Sequence, residues 1–424
     1  MTHSLTRRRF LHTSLGAAGL AMAGAGSWPA FGEEKPRKKL PVAGVVTVYR
    51  RNSHADVIIG KILEGWNQDG GLGPDLELVS LYVDQVGKDD MSEPLSKKHG
   101  FKITKTIDEA VSLGTNTVPV AGVIIVGEHG KYPEDPKTKQ TLYPRRRLFD
   151  EVAATYKRCG KVVPTFSDKH LSAYWADAKH MADTIYEMKI PFMAGSSVPV
   201  MWREPSASVP MGSEITEAIA LGYGGLEHYG FHATEGLQCL IERRKGGETG
   251  VKSVQSVSGE GILQAEKDGR WSRALFDAVV KASPTPYNGK QKRPTEMSKD
   301  AVFYLIEYKD GTKGTVAMGT GFSHDFTCGV SIRGKDPFVV AYLGEEDRPF
   351  RHFEHLLRAI ENMIHTGKPS YPFERTLLTT GILDAAMHSL ADDHKFLETP
   401  WLDVKYTPAD WPFAKGVPGP SALK

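Results

Sequence analysis

Between residues 41 and about 195, short apolar runs rich in β-branched residues alternate with stretches whose apolar side chains recur at helical spacing. No other feature constrains the fold as much. The runs are VAGVVTV (42–48), LELVSLYV (76–83), VAGVIIVG (120–127), KVVPTF (161–166) and PFMAGSS (191–197), and the helical stretches lie around Asp56–Leu63, Ile107–Leu113, Arg145–Lys157 and Ala173–Met188. Nearly continuous apolar strands separated by helices predict a parallel sheet covered on both faces, a doubly wound α/β arrangement. After about residue 210 the texture changes. AVFYLIEYKDGTKGTVAMGTG reads as two strands about a Lys-Asp-Gly turn, and FTCGVSIRG and FVVAYLG follow with no helix between them, which predicts an open, mostly antiparallel sheet in an α+β domain. Helices are expected over Phe353–Ile364 and Thr376–Leu390, and SPTPYNGKQKRPTEMS (283–298) as a surface loop.

The chain of 424 residues is too long for one ordinary core. The reading divides it into an N-terminal signal (1–31), a Rossmann-like domain (38–195), an α+β substrate and oligomerisation domain (196–405) and a Pro-rich tail (406–424). TRRRFLHTSLGAAGLAMAGAGSWPAFG sets consecutive arginines before Phe10 and Leu11, then a Gly/Ala/Leu run and small residues. It resembles a twin-arginine export signal, which implies the twin-arginine machinery as a partner and a periplasmic or extracytoplasmic destination, with no stable membrane anchor. Without Arg7, Arg8 and Arg9 the 53 basic residues become 50 against 51 acidic, a near-neutral balance that argues against nucleic acid as a partner. Cys159, Cys239 and Cys328 are widely spaced and form no disulfide framework or Cys-rich metal motif.

The stretch KKHGFKITKTIDEAV after the second strand and the later VAGVIIVGEHG, in a Rossmann unit followed by an antiparallel sheet, resemble the glucose-fructose oxidoreductase and inositol dehydrogenase superfamily over residues 41–395. The resemblance implies an NAD(P)-dependent oxidoreductase acting on a hydroxyl carbon of a sugar or sugar-like substrate. The Glu-Lys-Pro tripeptide of that family corresponds here to SDKHLS, which puts Lys169 on the lysine that polarises the reacting hydroxyl, with Asp168 and His170 as its neighbours. The family's Asp-x-Gly-x-His run corresponds to HYGFH. His232 falls on the general acid/base histidine, Gly230 on the glycine, and His228 where the family has aspartate. The glycine-rich phosphate loop is replaced by YRRNSH.

Read from the residues themselves, that loop can still hold a pyrophosphate. Backbone N–H groups at a helix start are the donors, Asn52 or Ser53 can cap the helix, and Arg50 and Arg51 can add charge-assisted contacts, although Asp56 competes for the same dipole. Asp84 closes the second strand, where a carboxylate would take ribose hydroxyls and favour NAD over NADP. His54, Glu128, His129, Asp168 and His170 follow successive strands on the side where ligands bind in doubly wound sheets. In GGLEHYGFHATEG, His228 and His232 lie four apart with Glu235 three further on, one helix face that suits proton transfer, a divalent metal, or packing. Arg203 and the YPRRR run (Tyr143–Arg147) read as helix-start and surface charges. Two alternatives remain beside the oxidoreductase: a metal-dependent carbohydrate lyase or hydrolase, and a non-catalytic carbohydrate-binding protein. The face of the antiparallel sheet leaves room for a homo-oligomer.

Overall fold

Six strands and five helices alternate through the first half of the chain in a computed structural model that describes residues 38–284, 301–319, 321, 323–416 and 418. They are β1 (Leu40–Val46), α1 (His54–Glu64), β2 (Leu76–Val83), α2 (Ser92–His99), β3 (Lys102–Thr104), α3 (Ile107–Ser112), β4 (Gly122–Val126), α4 (Arg145–Cys159), β5 (Thr165–Asp168), α5 (Trp175–Met188) and β6 (Phe192–Gly195). All neighbouring pairs run parallel in the order β3-β2-β1-β4-β5-β6, so the winding reverses between β1 and β4. A cleft opens beyond the carboxyl ends of the strands at such a reversal, and the site lies there. The expected signal and most of the loop at 283–298 fall outside the described residues.

The second half comprises β7 (Trp202–Glu204), β8 (Ile215–Gly222), α6 (His228–Ile241), β9 (Val251–Ser258), α7 (Glu260–Lys267), α8 (Arg273–Ala282), β10 (Val302–Tyr308), β11 (Lys313–Met318), β12 (Phe326–Ile332), β13 (Phe338–Leu343), α9 (His352–Thr366), α10 (Glu374–Ala391) and β14 (Leu397–Glu398). Its eight strands are ordered β14-β9-β10-β11-β8-β12-β13-β7 and pair antiparallel except for the parallel β8–β11 pair. The hairpin about Lys309–Gly311 is where the sequence placed it. On one face, Leu237 of α6 and Ile382 of α10 join a core with Val254, Tyr304 and Val316. On the other, Leu275, Phe276 and Val279 of α8 and Ile262 of α7 pack on Ile219, Phe303 and Ala317, so the face expected to be free for a second copy carries helices.

One late element returns to the first sheet. Phe353, Leu356, Leu357, Ile360 and Ile364 of α9 pack with Ile58, Ile59 and Ile62 of α1 against Val42, Val46 and Ile124. Gly122 admits this helix, since a Cβ there would lie 2.8 Å from Ile364. Apolar spacing built α9, and burial of its apolar stripe holds it beside α1.

Candidate active site

Three loops at strand ends each carry a non-glycine residue in the left-handed region: Asn52 after β1 (φ 62°), His129 after β4 (φ 68°) and Lys169 after β5 (φ 66°). All three line one cavity of about 620 Å³, together with His228 and His232 from the first turns of α6. Such backbone conformations are costly for residues with a Cβ and concentrate where a side chain must stand at a fixed point. At Lys169 the conformation is held by its N–H, which donates to the carbonyl of Gly195 at 3.2 Å. Gly195 (φ 117°) in turn lies under Glu235, and a Cβ there would fall 2.2 Å from Oε1.

Lys169 Nζ donates to His232 Nε2 at 2.6 Å and stands 3.7 Å from Glu128 Oε1. Burial, then the lysine charge, drives the His232 pKa well below its ordinary 6.5, so the ring is neutral and Nε2 accepts. Its Nδ1 is buried without a partner. Burial by itself would raise Glu128, but Lys169, Arg145 and nearby histidines hold it well below the usual carboxylate value. Arg145 is fully buried, donating to Glu128 Oε2 at 2.6 Å and to His170 Nε2 at 3.1 Å. It is therefore a structural counter-ion of the site and not the surface charge the sequence suggested. Burial and Arg145 lower His170 to about 4, leaving Nε2 free to accept. Burial and His54 lower His129 likewise to about 4.

The remaining expected residues divide. His54 Nδ1 meets Asp168 Oδ2 at 2.6 Å across the cleft, and Asp168 Oδ1 is buried without a partner. Ser53 is the N-cap of α1, accepting from the Asp56 N–H at 3.3 Å, while Asp56 Oδ2 accepts from the Asn52 N–H at 2.8 Å. Arg50 and Arg51 are exposed, and Arg50 borders a cavity on the Asp90 side of the loop. Asp84 accepts from Tyr82 and Tyr132 at 2.8 and 2.6 Å and from Arg147, and lines neither cavity beside the β1–α1 loop. Arg203 sits on β7, buried between the rings of Tyr342 and Phe413.

The metal arrangement does not form. His232 turns to Lys169, His228 Nε2 to the Thr141 hydroxyl at 3.3 Å, and Glu235 Oε2 to the Ser196 N–H and hydroxyl at 2.8 and 2.6 Å. Sharing one helix face fixes only where the side chains start, and each finds a different partner. Among the described residues no three His, Cys, Asp or Glu side chains converge on a metal-sized point. Several lining residues were not singled out from the sequence, among them Tyr223, Asp325, Glu345 and Glu346 from loops at the ends of second-sheet strands, Phe326 at the start of β12 and His352 at the start of α9. Tyr229, inside the HYGFH run beside His228, was the one within reach of the sequence, and Glu227 on the other side of His228 accepts from the Thr141 N–H at 2.8 Å.

A second cavity of about 420 Å³ lies on the other side of the β1–α1 loop, lined by Val48, Tyr49, Arg50, Gln85, Val86, Gly87, Asp89, Asp90, Gly130 and Lys131. The loop between them is pinned by an antiparallel backbone β-bridge between Arg50 and Asp90 and by the Met91 N–H donating to Tyr49 O at 2.8 Å. Asp90 Oδ2 is buried here without a partner, whereas the Tyr49 hydroxyl, also unpartnered, lies in the core near Gly60 of α1. Cationic Arg50 and Lys131 beside an unpartnered carboxylate oxygen suit phosphate and ribose, so the residues fit a nicotinamide dinucleotide laid across the loop.

The fold and cleft are those of a Rossmann sheet joined to a large mixed sheet, the class expected from the sequence. Several solved structures share it. GenD2 from gentamicin A biosynthesis, solved in complex with NAD, is 14% identical over 90% of this chain and 99% of its own, with a TM-score of 0.54. A probable dehydrogenase from Thermotoga maritima is 14% identical over 86% and 100%, with a TM-score of 0.52. Scyllo-inositol dehydrogenase from Lactobacillus casei, solved with NAD(H) and scyllo-inositol, is 13% identical over 85% and 99%, with a TM-score of 0.50. At such identities the likeness is one of fold. No protein-family model matches the sequence, and no curated protein matches it.

Proposed function

We propose that the protein is an NAD(P)-dependent oxidoreductase acting on a hydroxyl carbon of a sugar or sugar-like ring, with the cofactor held tightly through turnover. The observation that carries this reading is the Lys169–His232 pair, 2.6 Å apart, which joins the left-handed residue after β5 to the first turns of α6. When bound, the nicotinamide ring supplies the hydride acceptor or donor. Arg50 and Lys131 would hold phosphate, and Asp90 would take the ribose in place of Asp84. Carboxylates at that position favour NAD over a 2′-phosphate.

Lys169 offers the substrate oxygen a donor that His232 and Glu128 leave unused, and its charge stabilises a developing alkoxide. In the oxidising direction the hydroxyl proton enters the Lys169–His232 pair. In the reducing direction the proton on Lys169 Nζ is delivered to the oxygen, leaving the neutral amine that takes the hydroxyl proton in the oxidising direction, while His232 Nε2 accepts from Nζ and keeps it aimed. Buried Glu128 keeps the charge of the site balanced through both states. The twin-arginine-like N-terminus supports an exported protein, where scarce free cofactor makes retention necessary. The test is native mass spectrometry of the mature protein purified through its own export route: an excess matching a nicotinamide dinucleotide is expected, and no excess with no uptake on titration would refute the reading.

A further inference from the structure

The end of β5 serves two histidines. Lys169 turns to His232, while Asp168, the residue before it, is fully buried and takes the Nδ1–H of His54 at Oδ2, 2.6 Å away. Consecutive Cα atoms lie about 3.8 Å apart, so the two pairs stand side by side at the cavity that His54, Lys169 and His232 all line. Moving a hydride and a proton at one hydroxyl carbon uses only the Lys169–His232 pair and leaves the other without a task. The second pair is built as an oriented base. A carboxyl group on Nδ1 fixes the tautomer that leaves Nε2 as acceptor, and among the described residues Nε2 makes no hydrogen bond. The ring is held edge-on by His129, at a centroid distance of 5.4 Å, and by Phe353 of α9 at 5.1 Å. The His54 side chain is 15% exposed, open to a ligand in the cavity and largely closed to bulk water.

We propose that His54, positioned by Asp168, is a second base of this site and removes the proton from the carbon next to a ring carbonyl held at Lys169, so that the protein exchanges ketone α-protons beside its hydride transfer. The inference rests on the reading that Lys169 polarises the substrate oxygen. The carbon–hydrogen bond breaks, its proton goes to His54 Nε2, and its electron pair moves into the carbonyl, whose oxygen becomes an enolate facing Lys169 Nζ. Return of a proton to the carbon restores the ketone, and no oxidant or reductant is consumed. The test incubates the mature protein with the ring ketone scyllo-inosose in D2O, without added cofactor, and reads deuterium at the carbons beside the carbonyl by NMR. Exchange about tenfold or more above buffer is expected. His54→Ala lowers it about a hundredfold, and added imidazole restores part of the rate. Asp168→Asn, which keeps the shape but no longer fixes the tautomer, lowers it about a hundredfold or more while calorimetry shows the ketone still bound. No exchange, exchange that survives either variant, or a loss in His54→Ala that imidazole does not restore overturns the inference. Exchange in a protein that takes up no nicotinamide dinucleotide would remove the oxidoreductase reading and leave this inference standing; dinucleotide uptake without exchange would do the reverse.

Discussion

Glu235 gives the most direct test of how the site is supported. Its carboxyl is buried beneath Gly195, and burial pushes its pKa from the ordinary 4.5 to about 7 against the pull of Ser196 and Arg375. The hydrogen bonds agree with a neutral carboxyl. Oε2 accepts twice from Ser196, and Oε1 lies 3.2 Å from the Thr376 hydroxyl, which itself donates to Ala194 O at 2.9 Å. A protonated Oε1 donates to that hydroxyl and satisfies every group; an ionised one leaves two acceptors competing for a single proton.

The native chain therefore keeps this proton up to about pH 7 while the unfolded chain releases it near 4.5. Within that window the native state binds more protons, so the contribution of Glu235 is full below about pH 4.5, falls as pH rises through 7 and is constant above. A shift of about 2.5 units at about 1.4 kcal/mol each amounts to about 3 kcal/mol. Glu235→Gln keeps the shape, accepts from Ser196 and donates to Thr376, but cannot ionise. Urea unfolding of both proteins from pH 5 to 9 should show the variant gaining about 3 kcal/mol relative to the wild type as pH rises, with most of the gain complete by pH 8. Parallel curves would refute the neutral-carboxyl assignment.

Three other perturbations follow from the same geometry. Lys169→Met should cut kcat by about 10²- to 10⁴-fold while dinucleotide binding persists, read by turnover and by titration; full turnover would sink its assignment. Glu128→Gln strands the buried guanidinium of Arg145, and a loss of about 3–5 kcal/mol in urea unfolding is expected. Asp90→Asn should weaken NAD binding about tenfold and Asp84→Asn leave it within about twofold, roughly the worth of one lost charged hydrogen bond against none, measured by calorimetry.

The two sheets were readable because their strands are long and patterned: β2 spans the expected 76–83, and α4, α9 and α10 differ from expectation by one or two residues at their ends. Strands β3, β7 and β14, of three, three and two residues, are too short to show a period. The packing of α9 on the first sheet had no sequence signal, because an apolar stripe does not name the surface that covers it. Asp84 shows where local reading stops. Its position at the end of β2 was correct, but side chains alternate along a strand. Val83 packs on the α1 side and Tyr82 on the α4 side, so Asp84 follows Tyr82 to Arg147. Arg145 was misread for the complementary reason: its partner Glu128 lies in another loop.

The glycine-free turn after β1 and its left-handed residue belong together. A phosphate loop uses glycine where the chain must turn left-handed and come close to a ligand. Here the turn after β1 remains left-handed at Asn52, a residue type that tolerates that conformation better than most. Histidine at 129 and lysine at 169 take the same conformation with larger side chains. Had these loops needed only the turn, glycine would give it without the strain of roughly 1–2 kcal/mol for each residue with a Cβ. Both side chains reach into the same cavity, and Lys169 meets His232 there, so what the strain preserves is the position of a side chain. The turn after β1 keeps its left-handed residue, and the loops after β4 and β5 each carry another whose side chain lines the same cavity.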